Sequence, residues 1–85
     1  MNDNTIHLVR KILRLLDDIG PMGLEEQTVK DQLDLAAGFP VTTTEKDLAF
    51  QTCNERGWIK SYRQEVTGRI RWYLSDTGRA ARSGL

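Results

Sequence analysis

The sequence predicts a single α+β domain: three helices, a β-hairpin and a short closing helix. Three observations predict it. Apolar residues recur at helical spacing from Ile6 to Ile19. Thr42 and Glu45 carry the spacing of a helix-capping box, and Gly57 stands where that helix must end. Two β-prone runs, near 58–64 and 70–74, then flank Val66-Thr67-Gly68.

Eighty-five residues suffice for one domain, taken as 1–85, with a modest core. One cysteine, Cys53, allows no internal disulfide, and with one histidine it makes no zinc finger. No cofactor is expected. The segment MNDNTIHLVRK lacks the apolar run of a signal peptide, and no stretch approaches a membrane span. A cytoplasmic, nucleoid-associated protein is therefore expected. Net charge is zero, but it is unevenly distributed. Residues 1–55 hold five cations and ten carboxylates, whereas residues 56–85 hold seven cations and two carboxylates. Such asymmetry suggests a local basic surface suited to phosphate.

The first helix is predicted over about 5–19, capped by Asn4 or Thr5. Its apolar arc takes in Ile6, Leu8, Val9, Ile12, Leu13, Leu15, Leu16 and Ile19, opposite a polar face where Arg14 and Asp18 are spaced to pair. The arc is wider than one packing face needs. Leu8 and Leu15, at its edge, are candidates for a homodimer interface. Gly20-Pro21-Met22-Gly23 ends the helix. A second helix over about 24–36 starts with Glu25 and Glu26 at the positive end of its dipole. Val29, Leu33 and Ala36 or Ala37 face the core, with Leu24 and Leu35 as partial contributors. Phe39 is expected to plug the space between helices.

The third helix, about 42–56, turns Ala49, Phe50 and Cys53 inward and Thr43, Thr44, Asp47, Gln51 and Asn54 outward, with Leu48 near the outward side. The hairpin spans about 58–74, with Ile70, Trp72 and Leu74 alternating against Arg71 and Tyr73. Ser75-Asp76-Thr77 offers caps for a last helix over about 76–82, after which 83–85 should fray.

Helix, helix, helix, hairpin, short helix is the plan of a winged helix-turn-helix. The passages CNERGWIKS and RWYLSDTGRAA resemble the corresponding stretches of small bacterial winged-helix regulators of the ArsR and MarR type, and of short regulator-like proteins of Mu-like prophages. Gly57-Trp58-Ile59 stands where those proteins have Gly-Leu-Val. The resemblance implies DNA binding and transcriptional regulation in a bacterium or phage. The sensor features of those families, a Cys/His metal cluster above all, are missing from this sequence.

Double-stranded DNA is the expected partner. A helix fits the major groove and its first residues reach base edges. Thr42, Thr43 and Thr44 suit phosphates or thymine methyls, Lys46 a phosphate, and Gln51 and Asn54 adenine. Lys60, Arg63, Arg69 and Arg71 on the hairpin suit the backbone. Glu45 and Asp47 oppose this, although capping accounts for Glu45. Enzymatic function is not expected: no nucleophile has an evident base, no carboxylate pair is set for acid–base work and no glycine-rich phosphate loop is present, so no small-molecule substrate is implied. The alternative is a winged-helix protein-interaction module. Arginines paired with Glu25, Glu26 or Asp34 would favour it, whereas a continuous positive surface from third helix to hairpin would favour DNA.

Overall fold

Asn2 starts the first helix. In the computed structural model, which describes residues 2–38 and 40–85, its side chain accepts the Thr5 N–H at 2.7 Å. Helix α1 therefore spans Asp3–Ile19, two residues earlier than the sequence predicts. Asn4, a predicted cap, instead donates to Glu45 at 3.2 Å, and Thr5 is buried. The other elements are β1 (Leu24–Glu25), α2 (Glu26–Ala36), α3 (Thr43–Glu55), β2 (Ile59–Arg63), β3 (Ile70–Leu74) and α4 (Asp76–Gly84). Among the described residues the architecture is α+β: four helices and a three-stranded antiparallel sheet of order β1-β3-β2.

Strand β1 is the element that sequence reasoning assigned to a helix. Gly20 and Gly23 both take positive φ, and the Gly23 N–H returns to the Gly20 carbonyl at 3.2 Å. That turn brings Leu24 opposite Trp72 and Glu25 opposite Arg71. Helix α2 starts only after it, at Glu26. The predicted hairpin is present, with Ile59 opposite Leu74 and Arg63 opposite Ile70. Gly68, at φ 70°, makes the permissive turn position, and its N–H reaches the Gln64 carbonyl at 2.8 Å.

The core forms around α1, whose Leu8, Val9, Ile12, Leu13 and Leu16 are fully buried. Val29, Leu33 and Ala37 reach it from α2 and the turn beyond, while Ala49, Phe50 and Cys53 reach it from α3. Ile59 and Trp72 close it from the sheet. The buried stripe of α1 is narrower than its apolar arc, because Leu15 is only half-buried and Ile19 is exposed. Leu8, expected at a subunit interface, has no exposed surface, so this chain's own core already covers it. Leu35 is 80% exposed and makes no core contribution, a correction to its expected partial burial. The expected Arg14–Asp18 pair does not form either; the carboxylate that α1 uses is Asp17, paired with Arg82 at 2.7 Å and Arg79 at 3.6 Å. Those bridges hold α4 against α1, and α4 runs on to Gly84 rather than fraying at 83. Phe39 lies outside the described residues.

Candidate nucleic-acid interface

The start of α3 is fixed by a complete capping box. Thr42 Oγ1 accepts the Glu45 N–H at 3.1 Å, and Glu45 Oε1 accepts the Thr42 N–H at 3.2 Å. Two of the orphan donors at the helix start are thus satisfied reciprocally. The Thr42 N–H, then the Thr42 hydroxyl, holds the Glu45 carboxyl below its ordinary value of 4.5. Glu45 therefore remains an anion at the helix start. Its capping role is realised, and its charge faces whatever approaches α3. Thr43 and Thr44, in the first turn, are exposed with Asp47 beside them.

At the far end, Arg56 closes the helix and Gly57 follows at φ 71°. Trp58 N–H then returns to the Cys53 carbonyl at 2.9 Å, which directs the chain into β2. Cys53 is fully buried, and burial pushes its thiol up to about 12 against a smaller opposing pull from Arg56. The thiol is a packing group, because the reactive thiolate is suppressed at neutral pH.

The cations in and around α3 are largely committed. Lys46 bridges both oxygens of Asp34, at 3.0 and 3.1 Å. Lys30 pairs with Asp47 at 3.0 Å. Gln51 donates to Glu55 at 3.0 Å, whereas Asn54 is exposed beside it. Along the hairpin, Arg69 pairs with Glu25 at 3.2 Å while its side chain stays 64% exposed. Arg71 turns inward, donating to the carbonyls of Met22 at 3.4 Å and Gly23 at 3.0 Å. It thereby satisfies the turn that sets β1 in place. Lys60 and Arg63 sit exposed on β2, an edge strand of the sheet, and form no ion pair among the described residues. Arg56 lies over the Trp58 ring at 5.2 Å.

The basic and acidic halves of the sequence are therefore interleaved in space. Arg69, Arg79 and Arg82 from the basic half meet Glu25 and Asp17 from the acidic one. Among the predicted contact residues, Thr43, Thr44, Asn54, Lys60 and Arg63 lie open, Thr42 and Gln51 engage their own helix, and Lys46, Arg69 and Arg71 bind the chain itself. Arginines paired with Glu25, Glu26 or Asp34 are the sign expected of an interaction module; Arg69 does take Glu25, whereas Asp34 is taken by Lys46, a residue the sequence assigns to a phosphate. The anchoring of Arg71 was not anticipated, since carbonyls in a glycine turn leave no side-chain signal in sequence. Tyr62 on β2 stands 6.1 Å from Tyr73 ring to ring and remains exposed.

No helix among the described residues is long and apolar enough to cross a membrane. Comparison with known proteins finds no matching family model, no matching curated protein and no matching solved structure.

Proposed function

We propose that this chain is a winged-helix protein that binds double-stranded DNA and regulates transcription. The observation that carries the reading is the order helix, strand, helix, helix, strand, strand, with the short first strand paired to the last. In that order a helix with a capped start, α3, directly precedes a hairpin that carries Lys60, Arg63 and Arg69. Helix α3 would enter the major groove by its Thr43 and Thr44 end, with Asn54 about three turns along on the Thr43 face. Lys60 and Arg63 on the free strand would follow the phosphate backbone. Arg69 is solvent-exposed at the hairpin tip, so phosphate can compete with Glu25 for it at small cost, because exposed ion pairs contribute little.

Anisotropy of a labelled random duplex, titrated at two salt concentrations, tests this. Contact with ~4–6 phosphates gives a log–log salt slope of about −4 to −5. The Lys60→Ala/Arg63→Ala variant should bind more weakly and lose about 2 from that slope. If wild-type binding is absent at low salt, the DNA reading fails.

A second reading, a protein-interaction module, is favoured by one observation. Lys46 and Arg69, the cations expected to clamp DNA, are held by Asp34 and Glu25. The two readings part at Glu25→Gln. If the hairpin binds DNA, freeing Arg69 and removing a facing anion should tighten binding roughly fivefold. An interaction module shows no DNA binding in either form.

A further inference from the structure

One flank of the molecule carries charges that the chain itself does not use. On α1, Lys11, Arg14, Leu15 and Asp18 form one stripe at spacings of three, four and seven residues. Together with Gln32, Leu33 and Ala36 of α2 they line an open cavity of about 190 Å³. Lys11, Arg14 and Asp18 make no ion pair among the described residues, although Asp17, next to Asp18, binds two arginines. The stripe therefore combines a half-buried leucine, an apolar floor and an unspent charge pattern. That pattern is cationic toward the helix start and anionic toward its end.

We propose that this stripe is a homodimer interface in which α1 packs antiparallel against α1 of a second copy. The charge pattern selects the occupant and its direction. A two-fold axis passing between Arg14 and Leu15 brings Lys11 opposite the partner's Asp18, and Asp18 opposite the partner's Lys11. Leu15 then lies against the aliphatic stem of the partner's Arg14, an arrangement that such long side chains favour. One residue pair thus supplies two identical bridges, as an isologous interface requires. A parallel pairing would set Lys11 against Lys11 and Asp18 against Asp18, which repel. Lys11 and Asp18 are two helical turns apart, about 10 Å, so they cannot pair within one chain. The proposal stands apart from the DNA reading, because self-association is measured without DNA.

Sedimentation equilibrium of the intact chain tests it, using wild type, Lys11→Glu and Asp18→Lys. The wild type should dimerise reversibly. Each single variant places two like-charged pairs in the interface and should weaken the dimer about tenfold or more. Mixing the two variants in equal amounts should restore association to near the wild-type level, since the mixed pair sets Glu against Lys at one bridge and Asp against Lys at the other. The Lys11→Glu/Asp18→Lys double variant should also recover. All three positions of the charge stripe are at the surface, so far-UV circular dichroism should show every variant folded. A wild type that stays monomeric up to about 1 mM would overturn the proposal. So would single variants that associate like wild type, or a mixture no tighter than its components.

Discussion

Gly23→Ala should lower stability by roughly 2–5 kcal/mol, the sum of a left-handed backbone penalty and an overpacking penalty. Gly23 sits at φ 68°, and a methyl group added to it would collide with the carbonyl of Trp72. That carbonyl belongs to the central strand, so it cannot rotate away as a flexible side chain would. The alternatives are strain in the turn or separation of β1 from β3. Separation would also strip the Met22 and Gly23 carbonyls from Arg71. Gly57→Ala is the control. Gly57 has nearly the same φ, 71°, but nothing stands within 4 Å of the added methyl. It should lose only about 1–2 kcal/mol, the conformational share. For a chain of this size each kcal/mol moves the midpoint by roughly 4–8 °C, so thermal melts read the difference directly. Equal losses in the two variants would show that the close approach of β1 to β3 does not matter to stability.

Trp72→Ala should cost about 3–5 kcal/mol. Trp72 is 8% exposed and occupies the middle of the central strand. Its ring meets Phe50 of α3 at 5.6 Å between centroids, and its Nε1–H donates to Glu26 of α2 at 3.3 Å. One side chain thus ties the sheet to both helices, and its backbone pairs with Leu24 on one side and Ser61 on the other. Removing it leaves a cavity that three elements border. Trp72→Phe keeps most of the ring and loses the bond to Glu26, so its cost should be about 1–2 kcal/mol. Chemical denaturation separates the two. Trp72→Ala should shift the midpoint far toward lower denaturant, and Trp72→Phe only slightly. If both lose equally, the hydrogen bond rather than the packing dominates at this position.

Both predictions concern the junction that holds the hairpin against the helices, and that junction matters to the DNA reading. If β1 detaches, Arg71 is released, α2 loses its lead-in and the hairpin is held by fewer contacts. Weakened binding in Gly23→Ala would then follow from misplacement of the hairpin, whereas Lys60→Ala/Arg63→Ala removes contacts from an intact frame. Thermal melts run beside the binding titrations distinguish them. Misplacement and contact loss both weaken binding, but only the surface substitutions leave the melting midpoint unchanged.

Where local chemistry was strong, the sequence was a good guide. The capping box of Thr42 and Glu45 forms as spaced, because both bonds lie within four residues. Gly57 and Gly68 take the positive φ that their positions demand. Ala49, Phe50 and Cys53 face inward, since helical periodicity fixes their common side. The choice of Asn2 over Asn4 as cap was not legible. Several residues near the start can cap a helix, and the distant Glu45 claims Asn4.

Tertiary structure decided the rest. A two-residue strand has no periodicity to read, and β1 exists only because β3 offers it a partner. Leu8 and Leu15 look alike on the helical arc, yet the first is sealed in the core and the second lies half-open. The difference depends on where α3 and α2 approach α1. The charge segregation between the two halves of the chain is real in sequence and partly offset in space. Arg69 finds Glu25 across 44 positions and Arg82 finds Asp17 across 65. The sequence by itself determined that the helices and the hairpin form and how α3 is capped, because those depend on neighbours a few residues apart. Only the folded arrangement decided which apolar edge stays open and which cations remain unspent, because those depend on residues that meet only after the chain has closed on itself.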